Sequence, residues 1–347
     1  MNNNLLVVIN NEKVSKNENG FYYRNYNFKI LPEVLNNYYK VKYIVRESKK
    51  KENHKINLEN IKIASNIIKF IYFVISTFKD KNSKYFIISI SPYSFISFLF
   101  LLLFRKKTFL YLISSGHEEW KSILGSWSVW IYHIMYSIMI SNSTVIVLNN
   151  KLCKEKKCHL ITSSTLDEKW LSNHKEVKLD KVRFLYVGRI NPEKGIYEFL
   201  KIFEKIKLDA EFSVVGSTKN SKVLKKFNSA ISTIKNIKYL GYISDQQSLI
   251  NAYDNHNILI LPSFTEGQPY VVDESLARKR PVIVFEDISH IIKEREGIYI
   301  SKRTMDSFHE TTKYVMQNYN KIQKSIEKNK LPLKKDMLEQ ISNVINR

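Results

Sequence analysis

The segment Leu261–Val284 constrains the fold of this chain more than any other part of its sequence. An apolar run at its start predicts a buried strand, and Pro269 suits the first position of a helix after a short loop. A strand end that feeds a helix start is where α/β proteins bind phosphorylated ligands, and Glu266 and Glu274 would accept hydrogen bonds from sugar hydroxyls beside the phosphate. We therefore predict a sugar-nucleotide site. The residues we assign to its phosphate end are Gly267, Gln268, Pro269, Tyr270 and Val271.

A second segment, Lys181–Gly195, supports the same interpretation. An apolar strand is followed by Gly188, and Asn191 is a good helix N-cap. This places Arg189 at the exit of the strand and Lys194 on the first turn of the helix. An arginine fork and a mobile lysine ammonium suit a diphosphate. The alternative is that both are solvated charges in a lysine-rich protein, and the downstream glutamate loop makes us prefer the diphosphate.

Strands and helices alternate through all 347 residues, which predicts an α/β protein of two Rossmann-like domains with parallel sheets. We place the first domain at 1–180 and the second at 181–332, joined by the polar stretch Ser172–Asp180. The last segment, 333–347, has apolar residues at helical spacing.

The expected strands are short apolar runs between turn residues. They are Leu5–Ile9, Val41–Val45, Tyr85–Ile90, Thr108–Ile113, Thr144–Leu148, Arg183–Val187, Glu211–Val215, Ile237–Leu240, Asn257–Leu261 and Val282–Phe285. The expected helices are Tyr26–Tyr39, Leu58–Phe78, Ser94–Phe104 and Ile123–Ile140, with others that start near Pro192, Lys219, Asp245 and Pro269.

The net charge of +22 favours anionic partners, although an AT-rich genome would also produce much of this lysine excess. Nucleic acid is not expected, because the chain contains no recognised nucleic-acid-binding motif. Cys153 and Cys158 lack partners for a zinc site and suit reduced thiols in the cytoplasm. No signal peptide is expected before the strand at Leu5–Ile9.

The uncharged stretch Tyr85–Phe104 has nearly the length of a membrane span. Pro92 interrupts it, so we predict a strand, a turn and a short apolar helix instead. Leu58–Phe78 is interpreted as a core-facing helix in preference to a membrane helix. We expect peripheral contact with an anionic membrane, at its inner face. The motivating residues are Lys49–Lys51, Arg105–Lys107, Trp127 and Trp130.

The carboxyl-terminal half resembles the retaining GT-B glycosyltransferases of family four. The motifs that carry the resemblance are Gly188-Arg189, Glu193-Lys194-Gly195, Pro262-Ser263, Glu266-Gly267, Pro269, Glu274, Ala277 and Pro281-Val282-Ile283. The resemblance implies two domains facing a central cleft, with the terminal helix 333–347 crossing back to the first domain.

In that family the residue matching Glu274 holds the ribose hydroxyls, and the residue matching Glu266 lies near the donor sugar. The resemblance makes Arg189 and Lys194 the groups that neutralise the leaving diphosphate. Since no Asp-x-Asp motif occurs, we expect these cations to replace a divalent metal, with no cofactor beyond the nucleotide-sugar co-substrate. The resemblance also implies retention of anomeric configuration.

Other candidate residues lie at the ends of expected strands. His117 would hydrogen-bond the donor sugar, the alternative being a structural or surface histidine. Gly188 and Gly216 would line the same cleft. Tyr242 and Ile243 match the segment that contacts the base in the family, or they form an ordinary turn in which Ser244 caps the next helix.

Two positions depart from the family pattern. Gly20 is the one glycine near the first strand, after the long polar loop Asn10–Asn19, and we assign it to the donor phosphate side. Lys279 occupies a position where a helix-ending glycine is common. A left-handed lysine costs about 1 kcal/mol, so we expect a different turn there.

The resemblance, together with these residues, thus implies a retaining, metal-independent glycosyltransferase that moves a sugar from a nucleotide-sugar donor to a glycan or lipid-linked acceptor in bacterial surface polysaccharide biosynthesis. The alternatives are a GT-B sugar-nucleotide epimerase or phosphorylase, and a non-catalytic membrane-associated scaffold. The presence of Arg189, Lys194, Glu266 and Glu274 favours the transferase.

Overall fold

The computed structural model describes residues 2–23, 26–50, 52, 54–153, 158–218, 220–292 and 295–347. Its internal contacts divide the chain into two compact units. The first consists of Met1–Ser163 with Lys334–Arg347, and the second of Ser164–Leu333. Residues 164–180, which the sequence analysis assigned to the first domain, lie with the second unit. The reason is that Trp170 packs edge-on against Tyr253, and its carbonyl accepts a hydrogen bond from the Arg278 guanidinium at 2.9 Å.

The strands are β1 Asn2–Asn17, β2 Gly20–Tyr23, β3 Tyr39–Glu47, β4 His54–Ile56, β5 Ile61–Ala64, β6 Lys84–Ile88, β7 Thr108–Leu112, β8 Thr144–Val147, β9 His159–Leu160, β10 Val182–Val187, β11 Ala210–Val215, β12 Ile237–Gly241, β13 Ile258–Leu261, β14 Val282–Phe285 and β15 Ile298–Ser301. The helices are α1 Tyr26–Leu35, α2 Ile67–Ile75, α3 Pro92–Leu103, α4 Gly116–Leu124, α5 Trp127–Ser141, α6 Glu168–Leu171, α7 Ile196–Lys205, α8 Ser221–Ser232, α9 Gln246–Asp254, α10 Tyr270–Ala277, α11 Met305–Gln317, α12 Tyr319–Ile326 and α13 Lys334–Asn346.

The first unit is built on a mostly parallel sheet in the order β5-β3-β1-β6-β7-β8-β9; β2 pairs antiparallel with β1, and β4 pairs antiparallel with β2. The expected loop Asn10–Asn19 is wrong, because β1 continues to Asn17 and turns directly into β2. Buried Asn10 explains the continuation: its side-chain amide donates to the hydroxyls of Tyr23 and Tyr43 at 3.3 and 3.1 Å. Gly20 opens β2 opposite Asn17 with a φ of +129°, so the hairpin accounts for the glycine.

Helices cover both faces of this sheet. The α13 residues Leu338 and Ile341 pack in the same core as Leu6 and Tyr39. The Tyr39 hydroxyl lies 2.9 Å from the Ser342 hydroxyl, which fastens the chain's last helix to the third strand. The opposite face carries α2, α3 and α5.

Three expected helices of the first unit differ from those observed. The helix Leu58–Phe78 is wrong at its start, since β5 occupies Ile61–Ala64 and α2 begins only after Asn66, whose side chain caps it. The helix Ile123–Ile140 is two helices separated at Gly125, which has a φ of +93°. The helix expected to run from Tyr26 ends at Leu35.

Two further expectations concern membrane length and redox state. Tyr85–Phe104 divides into β6 and α3 as expected, with a capping box of Ser91 and Ser94 at the helix start. Within the described ranges, the structure contains no helix with the length and apolarity needed to span a bilayer.

The expectation of two free thiols is wrong: Cys153 and Cys158 form a disulfide, their Cα atoms being 6.6 Å apart. The cysteines therefore give no support to a reducing compartment.

The second unit contains a six-stranded parallel sheet in the order β12-β11-β10-β13-β14-β15. The expected strands of this half are confirmed to within a residue or two at each end, and β15 was not expected. The order reverses between β10 and β13. Such a reversal is the topological switch point at which open α/β sheets bind ligands, outside the carboxyl ends of the strands.

The helix starts in this unit lie slightly later than expected. The helix expected near Lys219, which lies outside the described residues, is α8 and starts at Ser221. The expectation that Lys279 avoids a left-handed conformation is wrong, because its φ is +56°. Neighbouring contacts hold this turn: the Lys279 ammonium pairs with Glu327 at 2.5 Å, and its carbonyl accepts from the Gln323 amide at 3.1 Å.

Candidate active site at the switch point of the second unit

Two loops meet at the switch point, one of residues 188–195 after β10 and one of residues 262–269 after β13. The Phe264 amide donates to the Glu193 carbonyl at 3.2 Å, so the two backbones are joined directly. Gly195 has a φ of +64°, and a Cβ there would lie 1.9 Å from the Pro262 carbonyl oxygen. Glycine at this position is therefore a geometric requirement of the close approach between the loops.

Lys194 and Glu266 form an ion pair across these two loops. The Lys194 Nζ lies 2.7 Å from Glu266 Oε1, and the two side chains are only 18% and 11% exposed. The Ser263 hydroxyl donates to the same carboxylate oxygen at 2.6 Å, and a ring nitrogen of His290 lies 2.9 Å from the Glu266 carbonyl. Because water is largely excluded, this charge pair is held more firmly than one on an open surface.

The local structure around Lys194 differs from the expected first turn of a helix. Pro192–Lys194 forms a short 3-10 turn, and α7 begins only after Gly195. The Asn191 side chain makes no capping bond and instead donates to Glu193 Oε1 at 2.8 Å. The left-handed Gly195 separates the turn from the helix, so Lys194 lies in the loop that contacts Glu266.

Arg189 is exposed at the exit of β10, and its carbonyl accepts a hydrogen bond from the buried Tyr186 hydroxyl at 2.6 Å. Both predicted cations, Arg189 and Lys194, lower the pKa of the same carboxyl group, that of Glu193. Partial burial raises the pKa of the Glu193 carboxyl, but hydrogen bonds from the Asn191 side chain and from the backbone, followed by the charges of Arg189 and Lys194, outweigh it and lower that pKa overall.

Arg303 is a positioning residue that the sequence analysis missed. Its Nη2 donates to the carbonyls of Pro262 and Ser263 at 2.8 and 3.0 Å, and its Nε donates to Asp287 at 2.8 Å. Its guanidinium also lies 4.1 Å from the ring centre of Phe264. These contacts fix the backbone that carries Glu266. The only sequence signal is a basic residue just after β15, which resembles an ordinary charged turn.

Glu274 lies on α10 with a buried side chain and two hydroxyl partners within the second unit. The Thr165 hydroxyl lies 3.1 Å from Oε1, and the Tyr253 hydroxyl donates to Oε2 at 2.9 Å. Burial, followed by the charge of Glu274, raises the pKa of Tyr253, so that hydroxyl keeps its proton. A carboxylate oxygen accepts more than one hydrogen bond, and the arrangement suits a group that binds hydroxyl donors.

The phosphate-end residues form the loop and the first turn of α10. Pro269 is the N-cap of α10, one position earlier than expected, and Tyr270 and Val271 are its first two residues. Gly267 is exposed, and a Cβ there would contact nothing within 4 Å. Gln268 is half-buried beside it.

Gly188 and Gly216 lie side by side at the ends of β10 and β11. A Cβ on Gly216, whose φ is +148°, would lie 1.8 Å from the Gly188 carbonyl oxygen. Beyond them, Tyr242 is 61% exposed after β12, and Ile243 packs partly on the core. The alternative in which Ser244 caps the next helix is wrong, because Asp245 caps α9 by accepting from the Ser248 amide.

His117 belongs to the first unit, where it is the second residue of α4. Its Nε2 lies 3.2 Å from His133 Nδ1, and its ring packs edge-on against Tyr132 and Tyr136. Beside it is a cavity of about 220 Å³, whose lining includes Ser114, Ser115, His117, Tyr132, His133 and Lys151. Gly116 permits this packing, since a Cβ there would lie 2.1 Å from the Tyr132 hydroxyl.

Among the described residues, no group of three or more His, Cys, Asp or Glu side chains is arranged to hold a metal ion. The charged groups that the structure brings together at the switch point are Arg189, Glu193, Lys194 and Glu266. Chemically, this arrangement offers cations and backbone amides to an anion beside a carboxylate that accepts hydroxyl hydrogen bonds.

Part of this chain is similar to known glycosyltransferases. Residues 168–331 match the family model of glycosyl transferases group 1. An uncharacterized glycosyltransferase of Haemophilus influenzae is 25% identical over 38% of this chain and 38% of its own length. The capsular polysaccharide biosynthesis glycosyltransferase CapM of Staphylococcus aureus is 28% identical over 41% of this chain and 37% of its own length. The matched regions of the curated relatives span between 33% and 59% of those proteins.

Among solved structures, HepE of Anabaena in complex with UDP superposes with a TM-score of 0.72 at 10% identity. The match covers 98% of this chain and 99% of that one. At this identity the likeness concerns the fold alone, and it agrees with the two parallel-sheet units described above. The resemblance to the GT-B glycosyltransferases is confirmed, and the part of the chain that matches the model of the glycosyl transferases group 1, residues 168–331, lies within the second unit.

Proposed function

We propose that this protein is a retaining glycosyltransferase that moves a sugar from a nucleotide-sugar donor to a glycan or lipid-linked acceptor, in the synthesis of a bacterial surface polysaccharide. The observation that carries the proposal is the contact between Lys194 and Glu266 at the switch point, next to Arg189. CapM, which the chain resembles, is a capsular polysaccharide biosynthesis glycosyltransferase, and HepE was solved with UDP; both facts support this class of substrate.

The chemistry follows from where charge develops. As the glycosidic bond of the donor lengthens, the leaving nucleoside diphosphate gains negative charge. Fixed cations act most strongly at such a point because they need no reorganisation during the reaction. Lys194 is held by Glu266 before the donor arrives, and the incoming diphosphate would share its ammonium. Arg189, which is exposed at the strand exit, is placed to supply the second charge.

The remaining roles are assigned from side-chain chemistry. Glu274 would accept hydrogen bonds from the ribose hydroxyls, and Glu266 would lie beside the donor sugar. His117 stays a candidate for a hydrogen bond to the donor sugar. In the retaining mechanism we propose, the departing phosphate itself accepts the proton of the acceptor hydroxyl, so no protein base is assigned. With Lys194 and Arg189 in place, the transfer step requires no divalent metal.

Single substitutions test the cation roles. Lys194→Ala and Arg189→Ala should each weaken transition-state contacts by about 1.5–3 kcal/mol, which corresponds to a loss of turnover of about tenfold to more than a hundredfold. Lys201→Ala is the matched control, because that exposed lysine lies on α7 of the same unit outside the site loops. Turnover should be measured in the presence of a chelator. Wild-type turnover in both site variants would refute the assignment.

The donor is identified by thermal stabilisation with UDP-, GDP- and ADP-sugars. A ligand at a hundred times its dissociation constant adds about 2.7 kcal/mol to the stability of the folded protein. Stabilisation by one nucleotide class, followed by release of its diphosphate on turnover, supports the transferase. Binding without any turnover would support a scaffold instead, and conversion of the donor sugar without its release would support an epimerase.

We also propose that the enzyme works at the inner, cytoplasmic face of the membrane, where nucleotide sugars and lipid-linked acceptors meet. The basic clusters and the exposed tryptophans support this location. Lys51 of the Lys49–Lys51 cluster lies outside the described residues. Arg105, Lys107, Trp127 and Trp130 are all exposed.

A further inference from the structure

The helical layer on one face of the first sheet has an unusual outer side. Within this layer α2 packs on α3, α3 on α5, and α4 on α5. The inner sides of these helices fill the core against the strands, for example through Phe70 of α2, Phe98 of α3 and Met135 of α5. One side of each of these helices is therefore enough to fill the core. The apolar residues on the other side do not take part in core packing and need a separate explanation.

The helix α5 shows this most clearly. Trp127 and Trp130 are 65% and 70% exposed, and Ile131 and Ile134 are also exposed. These positions follow the i, i+3, i+4, i+7 spacing of a single helix face. Met135 and Met139 lie on the other face and are buried in the core. The helix thus has two apolar faces, of which only one contributes to folding.

The neighbouring helices of this layer also carry exposed apolar side chains. Ile123 of α4 is 75% exposed, Leu103 of α3 is 73% exposed, and Ile68 and Tyr72 of α2 are 77% and 65% exposed. Twelve of the 21 exposed large hydrophobic side chains that the structure describes lie between residues 68 and 134. Exposed apolar side chains gathered in one helical layer are typical of an interaction site.

The charges around this surface indicate its partner. The sequences of α2, α3 and α5 contain no aspartate or glutamate. Exposed Arg105 and Lys107 follow α3 directly, and exposed Lys121 lies in the last turn of α4. The acidic residues of α4, Glu118 and Glu119, lie on its first turn, away from the apolar end with Ile123 and Leu124.

We propose that the outer face of the α2–α5 layer binds an anionic lipid membrane and lies in its interface. Tryptophan is favoured at the boundary between headgroups and acyl chains, which suits Trp127 and Trp130. Arg105, Lys107 and Lys121 then contact the lipid phosphates. Because none of the described helices is able to span the bilayer, the layer lies on the membrane and does not cross it.

Membrane binding would also hold a lipid-linked acceptor close to the enzyme, and this part of the inference rests on the proposed function. The same helix α5 that presents Trp130 and Ile134 outward also lines the cavity beside His117 with Tyr132, His133 and Tyr136. A lipid-linked acceptor would therefore keep its tail in the membrane while its head reaches the cavity. Membrane binding itself is measurable without donor or acceptor.

The test is co-sedimentation with vesicles at low ionic strength. The probe is vesicles of phosphatidylglycerol and phosphatidylcholine in equal parts, compared with phosphatidylcholine alone. The wild type should bind the anionic vesicles, with a blue-shifted tryptophan emission that brominated lipids quench. Trp127→Ser with Trp130→Ser should weaken binding by more than about tenfold and remove the spectral change. The matched control is Tyr314→Ser with Leu240→Ser, two exposed apolar residues of the second unit, which should bind like the wild type.

A second variant tests the charges separately. Replacing Arg105, Lys107 and Lys121 by glutamine should weaken anionic-vesicle binding by about fivefold per charge at low salt and leave binding to phosphatidylcholine unchanged. Hydrolysis of soluble donor without vesicles should be normal in both variants, which separates this inference from the proposed activity. The inference is overturned by wild-type protein that ignores anionic vesicles, or by a tryptophan variant that binds normally. The inference is also overturned if the wild type is a dimer that does not bind vesicles and the tryptophan variant is a monomer, because a second copy of the chain would then cover this face.

Discussion

The two units have the same kind of parallel sheet, but they differ in how their surfaces are used. In the second unit, the outer side of a helix such as α8 carries the exposed lysines 222, 225 and 226, and the polar contacts concentrate in the loops at the switch point. In the first unit, α5 presents Trp127 and Trp130 on its outer side. If both proposals hold, the second unit binds its anionic ligand through loops, whereas the first unit binds a membrane through the outer faces of its helices.

The largest expected effect tests the buried charges of the second unit. Asp254 is buried and accepts two hydrogen bonds from the Arg278 guanidinium, at 2.9 and 2.8 Å, with Arg280 3.8 Å away. Asp254→Ala would leave two buried cations without their counter-ion, so it should lower the unfolding free energy by about 3–5 kcal/mol. Urea denaturation measures this. The control is Asp180→Ala, which removes an exposed ion pair and should have a far smaller effect; equal effects would contradict the comparison.

The next prediction compares two glycines of the candidate site. Gly195→Ala places a methyl group against the Pro262 carbonyl in a left-handed conformation, so it should cost about 2 kcal/mol or more and weaken nucleotide binding. Gly267→Ala points into open space and should change stability by less than about 0.5 kcal/mol. Thermal unfolding with and without nucleotide checks both. Equal stability and equal nucleotide binding in the two variants would mean that the loops of residues 188–195 and 262–269 do not approach each other closely.

A smaller effect is expected from pH. Burial lowers the pKa of His256 despite its hydrogen bond to the Ala252 carbonyl, and burial also lowers the pKa of His174. The folded second unit then binds fewer protons than the unfolded chain as the pH falls through about 6.5. Its stability should therefore decrease between about pH 7 and about pH 5, and His256→Gln should reduce this decrease. Urea midpoints across this range test the sign, and a rise in stability on acidification would contradict it.

The smallest expected effect concerns the outer helix face of the first unit. Trp127→Ser with Trp130→Ser should change the unfolding free energy by no more than about 0.5 kcal/mol, because neither ring contributes to the core. Guanidinium unfolding followed by circular dichroism measures it. A loss of several kcal/mol would mean that these rings support the fold, and the contrast between the units would disappear.

The second unit was predicted well from its sequence because a buried parallel strand is a continuous apolar run that ends in glycine or proline. This pattern located β10 and β13, and with them the two loops that contain Lys194 and Glu266. The α-helix after β10 was placed a few residues too early, since Asn191 and Pro192 suit a helix start and give no sign of the left-handed Gly195. Arg303 was missed because its role depends on β15 lying beside β14, which local sequence does not encode.

The first unit was predicted less well, for reasons of tertiary context. The polar residues after Ile9 look like a loop, but Asn10 is buried between the hydroxyls of Tyr23 and Tyr43, and β1 continues through it. The strand β5 was interpreted as helix because its apolar residues also fit a helical period. The disulfide of Cys153 and Cys158 was missed because cysteine content alone does not give the distance between two residues.

The most direct test of the account is a calorimetric titration of nucleoside diphosphates into the wild type and the Lys194→Ala variant. If the ammonium at the switch point binds the diphosphate, the variant should lose about 1.5–3 kcal/mol of affinity for the diphosphate that the wild type prefers, while its weak binding of the corresponding nucleoside stays unchanged. Equal diphosphate affinity in the two proteins would contradict the account.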